Sequence, residues 1–295
     1  MKHLSLKAYG KINLGLDVLR RRQDGYHDVR MIMQTVGIFD RLDLSWKAEP
    51  GIQIETNLYY LPTNENNLVY KAAKLLMDEF QITDGVSVRL HKFIPVAAGM
   101  AGGSSDAAAV LFGINKMFGL GLTTRELMER GVKIGADVPY CILRGTALSE
   151  GIGEILTPLP PVPQCHVLIV KPGISVSTKF VYENLHANEL KPEQHPDIDA
   201  ILDGIRTQDI HRIASSLGNV LETVTVKEYP VIQSIKDQMI RDGAIGALMS
   251  GSGPTVFGLF TDQKAAEASY EKFRYSADSQ TAKQVYLTNF YNQNN

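Results

Sequence analysis

The fifteen residues Pro95-Val-Ala-Ala-Gly-Met-Ala-Gly-Gly-Ser-Ser-Asp-Ala-Ala-Ala109 carry almost no side-chain bulk. Gly99, Gly102 and Gly103 permit close backbone approach, and Ser104 and Ser105 can donate hydroxyls or hold Mg²⁺. Ahead of a helix, such a loop can turn several N–H groups toward one point, where the helix N-terminus adds partial positive charge. Both features favour a phosphate. Close helix–sheet packing with a plain serine cap would use the same residues. The loop is not of the Walker A type, because no GxxxxGK[ST] occurs, and no GxGxxG follows a strand.

A second glycine cluster, Met249-Ser-Gly-Ser-Gly-Pro-Thr-Val-Phe257, places Gly251, Ser252 and Gly253 between two apolar runs. Alone it reads equally well as a hairpin turn. Lys11 interrupts an alternating strand pattern, with Asn13 on the same face two residues on. Asp137 lies in Gly135-Ala-Asp-Val-Pro139, just beyond a predicted helix, where capping or a turn would also explain it. A lysine and an aspartate meeting in a cleft would do more. The cation keeps the carboxylate ionised, and the carboxylate can orient or deprotonate a hydroxyl. Asp24-Gly25-Tyr26-His27 is either a simple turn or an aromatic face and imidazole edge suited to a nucleobase or sugar. The seven histidines show no HExxH or other metal spacing, so no metal site built by protein alone is expected.

The elements that must hold these residues are legible in outline. Alternation at Leu4, Leu6, Ile12, Leu14, Leu16 and Val18, continued at Leu42, Leu44, Trp46, Ile52 and Ile54, predicts an antiparallel sheet. Leu68, Ala72, Leu75, Leu76 and Phe80 predict one helical face, and Val86, Val88 and Leu90 a strand. A helix over 104–118 would be capped by Ser104 or Ser105 and stopped at Gly119. Thr123 and Glu126 form a capping-box signature. Pro158, Pro160, Pro161 and Pro163 mark a boundary, which divides the chain into domains 1–157 and 158–295. Beyond it, strands at 167–170, 245–249 and 255–260 alternate with helices at 178–185, 210–217, 231–241 and from Gln263. That pattern makes the fold class α+β. The Asn-rich tail, 289–295, is expected to fray.

Composition narrows the partners. The chain has 295 residues and a net charge of −2, with 44% hydrophobic and 21% charged residues, which suits about two globular domains. Near-neutral charge gives no electrostatic reason for a nucleic acid or membrane partner. No segment has the apolar length of a membrane span or a signal peptide. Cys141 and Cys165 have neither disulfide-framework nor zinc spacing and read as buried thiols in a reducing, cytoplasmic setting.

Three segments in order resemble the motifs of the GHMP kinases: Lys11-Ile-Asn-Leu-Gly15, Pro95 to Ala107, and Met249 to Phe257. Further residues carry a resemblance to the branch of that family acting on a cytidyl-linked methylerythritol. They are Ala8-Tyr-Gly-Lys-Ile-Asn13, Asp24-Gly-Tyr-His27, Asn66-Asn-Leu-Val69, Gly102-Gly-Ser-Ser-Asp106, Gly135-Ala-Asp-Val-Pro139 and Lys171-Pro-Gly-Ile-Ser175. The resemblance implies the two-domain GHMP kinase fold, with an N-terminal ribosomal-protein-S5-like domain and a C-terminal ferredoxin-like domain. It implies ATP-dependent phosphorylation of the methylerythritol 2-hydroxyl, a step of the non-mevalonate isoprenoid pathway, with Mg²⁺ accompanying ATP and Ser105 as a candidate hydroxyl beside it. Lys11 and Asp137 would be the catalytic pair. Asn13, Tyr26, His27, Thr178 and Tyr182 would bind substrate, with His27 reading the cytosine edge and Tyr182 stacking on it. Gly99, Gly102, Gly103, Ser104 and Ser105, after Pro95, would cradle the ATP phosphates, and Asn67 and Lys92 would contact the adenosine side. A monomer or weak homodimer is expected.

Some positions depart from the family pattern. Met100 stands where leucine is common, a volume-conserving change. Ala97, Ala98 and Ala101 stand where some members have glycine, so a requirement for left-handed backbone does not follow there, though the loop itself does. Tyr9-Gly10 replaces a more usual Pro-Ala before Lys11. Two competing readings are another GHMP kinase, acting on mevalonate, homoserine or a sugar, and a non-catalytic nucleotide- or RNA-binding protein on the S5-like fold. Mild acidity argues against RNA, and the presence of both Lys11 and Asp137 argues against a dead kinase.

Overall fold

The computed structural model describes residues 2–275 and 281–292. Among these residues the strands run in order: β1 (His3–Arg21), β2 (His27–Lys47), β3 (Ile52–Thr56), β4 (Gly85–His91), β5 (Thr146–Gly151), β6 (Ile155–Pro158), β7 (His166–Lys171), β8 (Gly218–Asn219), β9 (Gly246–Met249), β10 (Val256–Phe260) and β11 (Gln284–Asn289). The α-helices are α1 (Leu68–Glu79), α2 (Gly102–Phe118), α3 (Thr124–Gly131), α4 (Val138–Leu143), α5 (Thr178–Asn184), α6 (Ile198–Arg206), α7 (Ile210–Ser215), α8 (Glu222–Glu228), α9 (Val231–Arg241) and α10 (Gln263–Arg274).

Packing divides the chain into two compact units. One comprises the chain up to Gly10, Ile38–Val96 and Ala101–Leu143; the other comprises Lys11–Gly37, Ala97–Met100 and the chain from Arg144 onward. The units interleave along the sequence, and β1 and β2 each contribute to both. The proline segment after β6 runs to β7 without regular structure.

In the first unit, Leu42 and Leu44 of β2 face Leu90 and Val88 of β4 in antiparallel register. β3 pairs with β4 in parallel, not as part of the antiparallel sheet expected. The reason lies in the connection: α1 runs between them, and a parallel pair requires such a crossover. α1 buries Val69, Ala72, Ala73, Leu76 and Met77 against α2. This stripe is rotated from the predicted one, leaving Phe80 exposed beyond the helix end. Each fully buried Leu or Val here is worth about 1.5–3 kcal/mol relative to exposure. α3 has the reciprocal Thr123–Glu126 capping box, and α2 ends at Gly119 in the left-handed conformation, both as expected.

The second unit contains a four-stranded antiparallel sheet in the order β11-β7-β10-β9. With β7 counted first and β11 last, the strands lie 4-1-3-2, the order of a ferredoxin-like β-α-β-β-α-β unit. Val167–Val170 and the whole of β10 are buried, covered by Ile232, Ile235 and Met239 of α9 and by Ala266 and Phe273 of α10. β5 pairs with Val29–Gln34 of β2, and β6 with β5; the sequence reading had no strands there. The tail is packed rather than frayed through Asn292. Phe290 bridges to Val36, the Tyr291 amide donates to the Thr35 carbonyl, and Asn292 Nδ2 donates to the Val162 carbonyl. The rest of that segment, 293–295, lies outside the described residues.

Candidate active site

In the second unit two glycine-containing segments converge on β1. Lys11 is 5% exposed, and its Nζ donates to Asn13 Oδ1 at 2.7 Å, as two residues apart on one strand face allow. Asn13 Oδ1 also accepts the Gly251 amide at 3.1 Å. The Lys11 amide donates to the Met100 carbonyl at 3.1 Å, and Ser250 Oγ donates to the Gly99 carbonyl at 2.9 Å. Gly99 (φ 71°) and Gly251 (φ 58°) pass back to back. A Cβ on Gly99 would lie 2.1 Å from the Ser250 carbonyl oxygen, and one on Gly251 3.2 Å from Gly99 Cα. Only residues without side chains allow that approach. The second glycine cluster is therefore a turn between β9 and β10, and it also abuts Gly99.

Among the described residues the Lys11 ammonium has no carboxylate within ion-pair distance. A buried ammonium held by one neutral amide is short of negative charge, which an anionic ligand would supply. Nearby in the same unit, Ser252 Oγ lies 2.8 Å from Thr178 Oγ1. Gly253 completes the turn with φ 87°.

The Asp24–Gly25 turn presents Tyr26, 60% exposed, and next to it His27, whose ring centroid lies 5.1 Å from that of Tyr182. His27 Nε2 is sealed from solvent and has no hydrogen-bond partner among the described residues. Burial, with the Arg21 charge as a lesser cause, holds the imidazole below its ordinary pKa, so the ring is neutral near pH 7. An unpartnered neutral ring nitrogen beside an aromatic face suits a flat heterocycle with donors and acceptors on its edge.

The first unit supplies the helix end. α2 begins at Gly102 with Ala101 as its N-cap in the left-handed conformation, φ 54°, and has no side-chain cap. This corrects the expectation of a Ser104 or Ser105 cap: both serines lie inside the first turn. Among the alanines, Ala97 (φ 50°) and Ala101 adopt the left-handed region despite their Cβ atoms, whereas Ala98 does not. An uncapped first turn leaves its N–H groups available to an anion, which the dipole of a 17-residue helix also favours. Ser105 is buried, and its hydroxyl donates to the Tyr9 carbonyl at 2.6 Å, fastening this turn to β1. A Cβ on Gly135 would lie 3.9 Å from Ser104 Oγ, so the turn carrying Asp137 runs close to Ser104. Asp137 is half-buried directly before α4, and its carboxylate has no partner among the described residues. Among those residues, no cluster of three or more His, Cys, Asp or Glu could hold a metal ion.

The families described as GHMP kinases N terminal domain and GHMP kinases C terminal match residues 67–145 and 200–278. A curated relative named 4-diphosphocytidyl-2-C-methyl-D-erythritol kinase, from Lachnoclostridium phytofermentans, is 57% identical over 295 residues and the full length of both chains. One of the same name from Clostridium perfringens is 47% identical, covering 99% of this chain and all of its own. This chain belongs to the 4-diphosphocytidyl-2-C-methyl-D-erythritol kinases, within the GHMP kinases. A crystal structure titled 4-(cytidine 5'-diphospho)-2C-methyl-D-erythritol kinase superposes with a TM-score of 0.81 at 30% identity, covering 98% of this chain and all of that one. A homoserine kinase from Cytophaga hutchinsonii, at 21% identity and a TM-score of 0.80 over 98% of this chain and 95% of its own, shares the fold.

Two residues expected to contact the nucleotide also have partners within the protein. Lys92 Nζ is enclosed between Asp40 and Asp106 Oδ2, the latter at 2.7 Å. Asn67 caps α1 by accepting the Val69 amide, while its Nδ2 donates to the Pro62 carbonyl. Pro95 is buried. Asp40 escaped the sequence reading, although an aspartate amid the apolar alternation Ile38–Asp40–Leu42 was a legible anomaly. It accepts the amides of Phe93 (2.5 Å) and Ile94 (2.8 Å) and so fixes the start of the glycine loop. Neither cysteine forms a disulfide, both are buried, and burial pushes the Cys165 thiol up to about 12. Among the described residues no helix is long and apolar enough to cross a membrane.

Proposed function

We propose that the enzyme transfers the terminal phosphoryl group of ATP to the 2-hydroxyl of 4-diphosphocytidyl-2-C-methyl-D-erythritol, forming ADP and the 2-phosphate. The observation that carries the reading is the buried Lys11 ammonium held by Asn13 with no carboxylate beside it among the described residues. Asp137 takes the hydroxyl proton as the new O–P bond forms and the bond between the β,γ-bridging oxygen and the γ-phosphorus breaks. ADP carries away the electron pair of that bond. Lys11 neutralises charge on the transferring group, and Asn13 orients the acceptor. Phosphoryl transfer demands positioning and electrostatics more than covalent help, which suits so small a set of groups.

The uncapped first turn of α2, with Gly99, Gly102, Gly103 and Ser104, receives the ATP phosphates. Mg²⁺ enters with the nucleotide. Ser105 does not fit as its ligand, because its buried hydroxyl is turned to the Tyr9 carbonyl, and no step is assigned to the metal. His27 Nε2 pairs with the cytosine edge, Tyr26 and Tyr182 offer ring faces, and Thr178 with Ser252 lies toward the phosphates of the acceptor. The family domains meet in the proline segment at 157/158, on either side of which the two family matches fall. The enzyme works in the cytoplasm as a monomer or weak homodimer.

ADP release with Mg·ATP tests the reading, with 4-diphosphocytidyl-2-C-methyl-D-erythritol, mevalonate, homoserine or no acceptor in parallel. Turnover confined to the cytidyl substrate is expected. Turnover with mevalonate or homoserine alone overturns the acceptor, and silence with ATP still bound overturns the kinase. Asp137→Asn should lower kcat by about 10²–10⁴-fold while leaving ATP binding intact; a near-normal kcat removes Asp137 from the mechanism.

A further inference from the structure

Asn13 and Gly251 do not meet by their own geometry alone. Gly251 lies in a turn whose polar backbone groups are claimed by side chains from a segment that none of the three kinase motifs includes. Asn219 of β8 is 6% exposed, and its Nδ2 donates to the carbonyls of both Met249 and Gly251 at 2.8 Å. Its Oδ1 accepts the Leu221 amide at 3.0 Å, which fixes the orientation of the side-chain amide. One turn on, Glu222 Oε1 accepts the Met249 amide at 2.9 Å, while Oε2 pairs with Lys236 at 2.6 Å. Both polar groups of Met249 and the carbonyl of Gly251 are thus held from this segment. The remaining Gly251 group, its N–H, is the one that Asn13 accepts.

The bracket is anchored to the strand it serves. β8 pairs in parallel with β1 through Gly15–Gly218 and Leu16–Asn219, and the Val220 amide donates to the Leu16 carbonyl at 3.0 Å. A closed ring of bonds results, from β1 through Asn219 to residues 249–251 and back through Asn13 to Lys11. A satisfied buried network of this kind restricts its members to one arrangement. We propose that Asn219, supported by Glu222, is a positioning residue for phosphoryl transfer, which fixes the 249–251 backbone so that Gly251 orients Asn13 and Asn13 holds the Lys11 ammonium. The inference rests on the reading of Lys11 as a group that acts on the transferring phosphoryl.

The test is a double-mutant cycle on the full-length enzyme, using Asn219→Ala, Asn13→Ala and the double variant. kcat and both KM values would be measured at matched folded fraction, checked by thermal melting. N219A should lower kcat by about tenfold or more with KM for ATP within about threefold. In the N13A background the same change should cost less than about twofold, because the two residues act in series. Equal losses in both backgrounds, or an N219A kcat within twofold of wild type, would overturn the proposal. Should N219A not fold, N219S keeps a donor for one of the two carbonyls and carries the same cycle. The Lys11 reading fails separately: near-normal kcat in Lys11→Met sinks it whatever the cycle gives. An inactive K11M with an additive cycle sinks only the role of Asn219.

Discussion

Lys11 and Lys92 are both almost sealed from solvent, 5% and 8% exposed, yet their surroundings differ in kind. Lys92, in the first unit, lies between Asp40 and Asp106. Burial alone would lower its pKa, but the two carboxylates outweigh burial and hold it above the ordinary lysine value. Lys11, in the second unit, has one amide oxygen and no carboxylate among the described residues. A buried ammonium with more than enough negative charge is finished as a structural element. One with none is incomplete until an anion arrives, and the proposed function makes that anion the transferring phosphoryl group.

The comparison can be broken at either lysine. Lys92→Met strands two buried carboxylates, so urea unfolding should show a loss of about 3–5 kcal/mol. A loss under 1 kcal/mol would mean that the cluster is not the structural brace described. Lys11→Met should do the reverse: kcat falls by about 10²–10³-fold, as for removal of one preorganised charge donor, while stability stays within about 1 kcal/mol. An unstable but active K11M would exchange the two roles. His27→Ala should raise KM for the cytidyl substrate by about tenfold, the size of one lost hydrogen bond, with kcat nearly unchanged. Because His27 is held neutral, KM in the wild type should be flat from pH 8 down to the ordinary histidine range of about 6.5 and worsen only at lower pH. A rise in KM beginning above that range would contradict the neutral ring.

The smallest expected effect concerns Asp106. Burial raises its pKa well above the ordinary carboxylate value, although the Lys92 charge opposes that shift. Between about pH 4, where the unfolded chain releases the proton, and the higher native value, the folded state holds more protons. Its stability therefore falls as pH rises through that window. Asp106→Asn cannot titrate, so its stability relative to wild type should improve as pH climbs from 4. Urea midpoints of the two proteins across the series would read the effect; a difference independent of pH would assign the proton elsewhere.

Local patterns carried much of the fold. Apolar patterning located β1, β4 and three strands of the ferredoxin-like sheet, β7, β9 and β10, and Thr123 with Glu126 announced α3 through a bond between near neighbours. The strands at 146–158 and 284–289 were not legible, because Thr146-Ala-Leu-Ser-Glu-Gly151 becomes a strand only where Val29–Gln34 supplies a partner edge. The parallel pairing of β3 and the path of the proline segment were set by connection and packing. In the site, Lys11, Asn13 and the glycine turns announced themselves by type, Asp40 only as a break in the apolar alternation Ile38–Asp40–Leu42, and Asn219 and Glu222 not at all. An aspartate or asparagine in a sequence is compatible with any exposed turn, and its burial against particular amides is a long-range fact.

What the sequence determined by itself was a set of chemical capacities: loops without side chains, a strand lysine beside an asparagine, an unattached aspartate, a tyrosine and a histidine in a turn. These follow from residue type and near spacing, and together they identified the family. Tertiary structure alone decided which lysine was neutralised and which was left in need of an anion. Lys11 lies within β1 and Lys92 directly after β4. The difference arises from carboxylates 52 and 14 residues away from Lys92 and from a turn 238 residues beyond Asn13. The energy of a buried charge depends on the neighbours that folding brings to it, and not on those the chain places next to it.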